Sequence, residues 1–350
     1  MNLRRLWYSQ PLLPYDLDCR NSMTNRLLRT TNSALVSLGW TAFFDAQISE
    51  KNGAFEPARV ISVSRQSFEI QSATLRQNVR MRDAPQLSES PTTGDWLLRD
   101  ETTHEPVQLL NRKNLLQRRR SGRDRGAQTM LANFECIFLV VSANQNFNES
   151  RLERGMVLAA QSGVEAVIVL TKVDQCIDLA SFRRRLRQIP ILPQVHEVDA
   201  RNARSCQSLT SLLRPGETTA LLGSSGVGKS TLINTLIGED RQATQATRIQ
   251  DAKGRHTTVR RTLIELPSGA IVVDNPGVRE LGIVNGEDAV ASVFDDISEL
   301  AIRCRFNNCE HSAEPDCAVQ RAVHQGELTE RRLSNYVKLL SEARPLSTYT

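Results

Sequence analysis

The sequence predicts a multidomain protein with an N-terminal β-barrel, a central α/β domain built on a parallel sheet, and a mostly helical C-terminal domain. Three observations support this prediction. Residues 55–110 contain short runs of alternating apolar and polar residues, residues 127–285 alternate between buried strands and helices, and helical spacing interrupted by a Cys/His cluster follows Gly286. A chain of 350 residues has room for two or three domains of roughly 150 residues each.

The N-terminal third is predicted to hold a tail and a small all-β barrel. The first twenty or so residues show no pattern, and residues 1–32 are expected to form a loose tail, while "NSALVSLGWTAFFDAQI" has helical spacing. The runs "ARVISVSRQSFEIQ", "GDWLL" and "EPVQLL" are strand-like and are separated by turn-forming residues such as "SPTTGD". The predicted divisions are a tail over 1–32, a barrel over 33–115, a basic linker over 116–126, an α/β domain over 127–285 and a C-terminal domain over 286–350.

Positive charge is concentrated between Asn111 and Gly126, where seven Lys and Arg face one Asp, although the net charge of the chain is only +5. Such a run is either a solvated linker or a contact for an anionic partner such as RNA. No apolar run approaches the roughly 20 residues of a membrane span, and the first residues lack the apolar core of a secretory signal. We therefore expect a cytoplasmic protein with no membrane partner.

The central domain is predicted from a regular alternation of elements. "CIFLVVSAN" and "EAVIVLTKVD" are buried-strand runs, and between them "NESRLERGMVLAAQSG" is a helix that ends at Gly163. The alternation continues through "RRRLRQI", "PQVHEVDA", "TTALLGSSGVGKSTLINTLIG", "TLIELPSG" and "AIVVDNPG". This pattern is typical of a parallel sheet with helices on both faces.

A phosphate-binding loop lies between the strand "TTALL" and the helix "STLINTLIG", where the sequence matches G-x-x-x-x-G-K-[ST]. Its glycines let backbone N–H groups converge on phosphate oxygens, and the helix N-terminus adds the positive end of its dipole. Lys229 would reach the β- and γ-phosphates and Ser230 would ligate Mg²⁺. A lysine buried at a helix start is costly unless an anion meets it. The predicted phosphate loop consists of Gly223, Ser224, Ser225, Gly226, Val227, Gly228, Lys229, Ser230 and Thr231.

The base loop is predicted upstream of the phosphate loop, at "TKVD". This segment follows the strand "EAVIVL", so it lies at the carboxyl end of a parallel strand, where such sheets bind ligands. An aspartate there can accept hydrogen bonds from the N1–H and the N2 amino group of guanine, which adenine cannot supply. Alone, such a four-residue match is more often a surface loop, but beside a phosphate loop it predicts GTP as the substrate. The predicted base loop consists of Thr171, Lys172, Val173 and Asp174.

Further contacts with the nucleotide are predicted from three other segments. In "HEVDA" the backbone N–H of Ala200 would lie near the guanine carbonyl, and in "VVDNPGV" Asp274 would hold Mg²⁺ through water while Gly277 senses the γ-phosphate. "GRHTTV" lies where a switch loop closes over the nucleotide, and Thr257 or Thr258 would complete the Mg²⁺ shell. The base loops therefore precede the phosphate loops, as in a GTPase fold whose halves are exchanged. This is physically possible because the ends of a domain usually lie close together.

The position after Gly277 is Val278, where many GTPases have a glutamine that orients the attacking water. A valine cannot hydrogen-bond a water molecule, so another group must do so. His256 in the switch loop is the nearest candidate in the sequence, because a neutral imidazole can bind a water or pass a proton. The alternative is that His256 is an exposed loop residue or an RNA contact. The predicted catalytic residues are His256, Lys229 and Thr258.

A metal centre is predicted in the C-terminal domain. Three of the seven cysteines lie between Cys304 and Cys317 and surround one histidine, which is unlike the paired cysteines of a disulfide framework. Three thiolates and one imidazole are the ligands of a closed tetrahedral Zn²⁺ site, and a full set of four ligands indicates a structural metal. The predicted zinc ligands are Cys304, Cys309, His311 and Cys317.

Taken together, these motifs resemble the ribosome small subunit-dependent GTPase A family (RsgA, also called YjeQ), whose members are circularly permuted GTPases. Besides the phosphate loop, "TKVD", "GRHTTV" and "DNPGVRELG", the phrases "QTMLANFECIFLVVSANQNFNESRLERGMVLA" and "CRFNNCEHSAEPDCAV" are similar to family signatures. The resemblance covers nearly everything after Ser33. It implies an RNA-contacting OB-fold in the N-terminal barrel, a permuted P-loop GTPase domain and a C-terminal zinc domain.

The resemblance also implies a role in late maturation of the small ribosomal subunit, with GTP hydrolysed to GDP and phosphate under stimulation by that subunit. It assigns the hydrolytic role to His256. Two positions depart from the family pattern, because Thr171 replaces an asparagine and Asp199 replaces a small residue. Val278 and Thr171 leave a second function open, an RNA-binding assembly module that holds GTP as a switch with negligible hydrolysis. In either case the expected partners are the small subunit and its rRNA, and the chain is expected to be a monomer.

Overall fold

The computed structural model describes residues 33–48, 55–119, 127–238, 261–276 and 282–344. Within these ranges eleven strands form one sheet and two more form a separate ladder. The strands are β1 Phe55–Val63, β2 Ser67–Ser72, β3 Arg76–Arg80, β4 Trp96–Asp100, β5 Pro106–Leu109, β6 Leu115–Arg119, β7 Ala127–Ala132, β8 Cys136–Ser142, β9 Glu165–Thr171, β10 Gln194–Val198, β11 Thr218–Gly223, β12 Arg261–Glu265 and β13 Ile271–Pro276. The helices are α1 33–37, α2 Ala42–Asp45, α3 Glu149–Ser162, α4 Leu179–Arg187, α5 Gln207–Thr210, α6 Lys229–Ile237, α7 Glu287–Val293, α8 Asp295–Ala301, α9 Ala318–His324 and α10 Glu330–Ala343.

Five strands form the parallel part of the sheet, in the order β10, β9, β8, β11, β13. The prediction of an entirely parallel sheet is wrong at one strand, because β12 pairs with β13 in the antiparallel direction. Only the turn 266–270 separates these two strands, and the backbone N–H of Leu266 donates to the carbonyl of Ala270 at 2.8 Å. A connection this short cannot make the crossover that a parallel pair needs.

The N-terminal strands are antiparallel and continue the same sheet. β1 pairs with β2 and β4, β2 pairs with β3, and β4 pairs with β5, around a separate apolar core. β1 also pairs with β12, with Ser62 opposite Thr262. The predicted strand-like runs lie in β1, β2, β4 and β5, whereas β3 has no counterpart among them. The helical spacing before them produces two short helices, because Gly39 between α1 and α2 has a φ of 91° and interrupts the helical path.

Arg59 joins these antiparallel strands to the parallel part of the sheet. Its side chain is buried, and its guanidinium donates to the carbonyl of Leu38, to the carbonyl of Asn133 at 2.9 Å, and to the hydroxyl of Thr218 at 2.9 Å. Burial lowers the pKa of Arg59 to about 10. Thr218 begins β11, the strand that leads into the phosphate loop, so the arginine fixes the start of that strand.

The basic segment predicted as a linker begins with a strand. β6 and β7 form an antiparallel ladder, with Leu116 opposite Leu131 and Arg118 opposite Gln128. The apolar side chain of Leu116 is buried, which explains why a strand forms in a sequence whose charge suggests solvent exposure. Residues 120–126 of the predicted linker lie outside the described residues.

The C-terminal helices pack against α3 through a cluster of buried charges. The carboxylate of Glu153 on α3 is 0% exposed. It accepts hydrogen bonds from Arg331 at 2.8 Å, from Arg332 at 3.1 Å and from Asn335 at 2.6 Å, all on α10. Arg332 also donates to Asp296 on α8 at 2.7 Å. A buried carboxylate is tolerated when it is paired and hydrogen-bonded in this way.

In the described ranges, no helix has the length and apolar character needed to cross a membrane.

Candidate functional site

The predicted phosphate loop connects the end of β11 to the start of α6. Gly226 and Gly228 have φ values of 78° and 105°, a backbone region that favours glycine. Gly223 has no room for a side chain, because a Cβ there would collide with the carbonyl oxygen of Val140. Lys229 is only 7% exposed, and its ammonium donates to the carbonyls of Gly223 at 2.8 Å and Ser224 at 3.2 Å. The loop thus curls around a buried ammonium at a helix N-terminus, an arrangement suited to an anion.

The predicted base loop lies directly against the phosphate loop. The hydroxyl of Thr171, which is fully buried at the end of β9, is within hydrogen-bond distance of the carbonyls of Val141 and Val227. The next residue, Lys172, has a φ of 59°, and its ammonium donates to the carbonyl of Gly226 at 2.7 Å. Val173 and Asp174 follow in a single 3₁₀ turn. The two loops therefore form one continuous surface although the base loop precedes the phosphate loop in the chain.

The second predicted base segment also reaches this surface. The carbonyl of Ala200 accepts a hydrogen bond from Thr235 on α6 at 2.6 Å, and the Ala200 Cβ lies 3.8 Å from where a Cβ on Gly228 would be. The carboxylate of Asp199 accepts from the backbone N–H of Arg201 at 3.0 Å, which closes a turn. Asp199 therefore has a local structural partner, which accounts for a charged residue at this position.

Arg201 is a residue of this site that the sequence motifs did not predict. Its guanidinium donates to Asp174 Oδ2 at 2.6 Å, and its Nε lies 3.5 Å from Asp199 Oδ1. The arginine thus contacts the carboxylate that is predicted to recognise guanine. In the sequence, only its position directly after Ala200 connects Arg201 with this site. Nothing in the motifs distinguishes it from a solvated arginine.

Arg151 on α3 is a second contact that the motifs did not predict. Its guanidinium donates to the hydroxyl of Ser224 in the phosphate loop at 2.9 Å. The helix begins at the preceding turn because the side chain of Asn148 accepts the backbone N–H of Arg151 at 2.9 Å. The first turn of α3 therefore touches the phosphate loop, while its next residues hold the C-terminal helices.

The side chains of Ser230 and Asp274 lie close together, where the sequence predicts Mg²⁺. The Ser230 hydroxyl lies 3.3 Å from Asp274 Oδ2, and Lys229 Nζ lies 4.0 Å from Asp274 Oδ1. Among the described residues, Asp274 Oδ1 is buried with no hydrogen-bond partner. Hydroxyl and carboxylate oxygens beside a phosphate site are the ligands that Mg²⁺ uses. The residues present fit that ion, because it would give Asp274 Oδ1 a partner in addition to the Lys229 ammonium 4.0 Å away.

Some of the predicted site residues fall in segments that the structure does not describe. His256, Thr257 and Thr258 of the switch loop lie outside the described residues, as do Gly277 and Val278. The predicted residues Ser225 and Thr231 lie in the phosphate loop and in the first turn of α6, as the sequence indicates.

The four predicted zinc ligands converge in the C-terminal region. The ligand atoms of Cys304, Cys309, His311 and Cys317 all lie within 4.8 Å of one another. His311 Nδ1 is 3.5 Å from the sulfur of Cys317 and 3.7 Å from that of Cys304. Burial lowers the pKa of His311, which favours the neutral imidazole that binds metals. This set of donors fits a structural Zn²⁺ ion.

Comparison with known proteins gives consistent results for the sequence and the fold. A family model described as RsgA GTPase matches residues 109–284. The chain is 40% identical over 318 residues to "Small ribosomal subunit biogenesis GTPase RsgA 2" of Vibrio parahaemolyticus, covering 90% of this chain and 87% of the relative. It is 42% identical over 294 residues to "Small ribosomal subunit biogenesis GTPase RsgA" of Xylella fastidiosa strain M23, covering 82% and 87%.

Solved structures resemble the fold as well. The crystal structure of YjeQ from Thermotoga maritima matches with a TM-score of 0.58 and 26% identity, covering 83% of this chain and 98% of that one. YloQ, described as a circularly permuted GTPase, matches with a TM-score of 0.53 over 85% of this chain and 99% of its own. At 23% identity the second match bears on the fold alone, and it agrees with the exchanged order of base and phosphate loops.

Proposed function

The chain belongs to the RsgA GTPase family and is a GTP hydrolase, and on that premise we propose that it binds the small ribosomal subunit and assists its late maturation. The subunit stimulates hydrolysis of GTP to GDP and phosphate, and hydrolysis is linked to release. The names of the relatives, small ribosomal subunit biogenesis GTPases, support this assignment. The protein acts in the cytoplasm as a monomer.

One observation supports the nucleotide site above the others. Thr171 and Lys172 of the base loop hydrogen-bond to Val227 and Gly226 of the phosphate loop, so base recognition and phosphate binding occur on one surface. Asp174 accepts hydrogen bonds from guanine, the Lys172 stem covers the base, and the Ala200 N–H contacts the guanine carbonyl. The backbone of residues 223–231 surrounds the phosphates.

Three residues of the phosphate side have separate roles. Lys229 neutralises charge on the β- and γ-phosphates, and Ser230 and Asp274 would hold Mg²⁺, which offsets phosphate charge when it is bound. Gly277 senses the γ-phosphate and Thr258 completes the metal shell. We assign Lys229 and Thr258 to catalysis with His256.

His256 orients the attacking water, because Val278 cannot. Substituting His256→Ala is expected to remove hydrolysis that depends on the small subunit while leaving GDP affinity close to that of the unaltered chain. If subunit-stimulated turnover persists in this variant, the assignment of His256 is wrong.

The domain before the GTPase domain binds RNA, and the domain after it has a structural role. We assign residues 33–115 to an OB-fold that contacts rRNA, 116–126 to a basic linker, 127–285 to the permuted GTPase domain and 286–350 to a zinc-binding domain, after a tail over 1–32. On β3 the side chain of Arg80 is exposed, whereas Arg76 pairs with Glu69 at 2.7 Å, so Arg80 is the residue of this strand that suits an anionic partner.

Binding can be tested by co-sedimentation with purified ribosomal subunits. We expect the chain to sediment with small subunits in the presence of a non-hydrolysable GTP analogue, to do so less with GDP, and to stay in the supernatant with large subunits. Equal sedimentation with both subunits, independent of nucleotide, would overturn the proposed function.

A further inference from the structure

We infer that Arg201 competes with guanine for Asp174 and thereby controls how fast a guanine nucleotide enters the site. The inference rests on the proposed function, since it takes Asp174 as the residue that recognises the base. The Arg201 guanidinium donates to Asp174 Oδ2 at 2.6 Å. Guanine recognition requires both oxygens of that carboxylate, one for N1–H and one for the N2 amino group. The arginine therefore occupies an acceptor position on an oxygen that the base also needs, and the two compete for it.

The surroundings of Arg201 explain how the contact can open. The Arg201 side chain is 62% exposed, whereas those of Asp174 and Asp199 are 25% and 23% exposed. The arginine backbone is held in place by the turn at Asp199, and its Nε lies 3.5 Å from Asp199 Oδ1. When guanine binds Asp174, the Arg201 guanidinium can move toward solvent and remain beside Asp199.

The expected effect is modest and falls mainly on the association rate. An ion pair with one exposed partner has a small net free energy. The closed form, in which Arg201 contacts Asp174, is therefore favoured over the open form, in which it does not, by about 2- to 5-fold. A ligand that binds only the open form then associates at a rate proportional to the fraction of molecules that are open. Once the base is bound, Arg201 no longer contacts Asp174, so dissociation is little affected. The competition weakens at high salt, because exposed pairs are screened.

The test is stopped-flow binding of fluorescent GDP to Arg201→Ala and to a matched control, Arg204→Ala. Arg204 is an exposed arginine of the same loop, so its removal reproduces the loss of positive charge without touching Asp174. We expect association with Arg201→Ala to be about 3- to 6-fold faster than with Arg204→Ala, dissociation to be equal in the two variants, and the difference to shrink at high salt. Equal association rates would overturn the inference, and so would faster dissociation in Arg201→Ala, which would mean that Arg201 holds the base.

Measurements in a second variant, Asp174→Asn, distinguish an error in this inference from an error in the assignment of Asp174 as the residue that recognises the base. Asp174→Asn is expected to lose GDP and to bind fluorescent XDP, because an amide can donate to the carbonyl that xanthine has in place of the amino group. In this background a neutral amide attracts Arg201 only weakly, so adding Arg201→Ala should change XDP association no more than adding Arg204→Ala. A larger change would overturn the inference alone. Unaltered GDP binding by Asp174→Asn would overturn both the base assignment and the inference.

Discussion

The hydroxyl of Thr171, at the end of β9, donates a hydrogen bond to the carbonyl of Val227 in the phosphate loop. The two residues lie in the halves of the GTPase fold that are exchanged in the chain order. The contact therefore joins the loop that we propose to recognise the base to the loop that we propose to hold the phosphates. It also gives the Thr171 hydroxyl a structural role.

Replacing Thr171 by valine should weaken both the fold and nucleotide binding. Valine preserves the shape but removes the hydroxyl, so the buried carbonyl of Val227 loses a donor at a cost of about 1–2 kcal/mol. We expect a lower free energy of unfolding in urea and weaker GDP binding. Thr171→Ser keeps the hydroxyl and should bind GDP nearly as well as the unaltered chain. If valine and serine behave alike, the hydrogen bond does not position the phosphate loop.

Replacing Ser230 by alanine should remove the dependence of nucleotide affinity on Mg²⁺. The unaltered chain is expected to bind GTP more tightly with Mg²⁺ than with EDTA, and the variant should lose about tenfold in affinity in Mg²⁺, equivalent to 1.4 kcal/mol. Ser225→Ala, in the same loop, should keep the response to Mg²⁺. The measurement is a titration of a fluorescent GTP analogue under both conditions. A full response in Ser230→Ala would exclude Ser230 as a metal ligand.

Replacing Glu153 by glutamine should loosen the contact between α3 and the C-terminal helices. The change removes the charge that pairs with Arg331 and Arg332, and breaking a buried ion pair costs about 3 kcal/mol or more. Glu342 pairs with Arg154 at 2.7 Å, but its side chain is 25% exposed, so Glu342→Gln should cost less than about 1 kcal/mol. Urea unfolding of both variants provides the comparison. Similar small losses would show that the Glu153 cluster does not hold the helices together.

Replacing Cys317 by serine should remove the zinc ion. The unaltered chain is expected to contain one zinc ion, measured by elemental analysis of the purified protein, and the variant should contain almost none. Because the metal stabilises a short segment, the C-terminal helices of the variant should also unfold at a lower temperature. A chelator should have the same effect on the unaltered chain. Cys176→Ser changes a cysteine outside the cluster and should leave the zinc content intact. Full zinc occupancy in Cys317→Ser would contradict the ligand assignment.

The elements that the sequence predicted well are those with strong local signals. β8, β9 and β11 are continuous apolar runs, and α3 has an asparagine cap at Asn148 and ends before Gly163, whose φ is 67°. The phosphate loop and the cysteine cluster follow from spacing alone, because each motif is contained in a short segment. For these parts, side-chain chemistry and local geometry point to the same structure.

The remaining features depend on contacts between distant segments. Glu153 has the sequence context of an exposed helical residue and is buried only because α10 packs over it, 179 residues away from Arg332. The pairing of Arg201 with Asp174 likewise joins residues 27 positions apart. The antiparallel β12 could have been predicted, because "PSG" is a turn and no helix precedes "AIVVDNPG". Periodicity alone gave no indication of it.

The most direct test of the account is GTP hydrolysis by the purified chain with and without small ribosomal subunits, with ATP and large subunits as controls. We expect slow hydrolysis of GTP alone, strong stimulation by small subunits only, and no hydrolysis of ATP under any condition. Equal, negligible turnover in every condition would contradict it and would favour an RNA-binding module in which GTP is held as a switch.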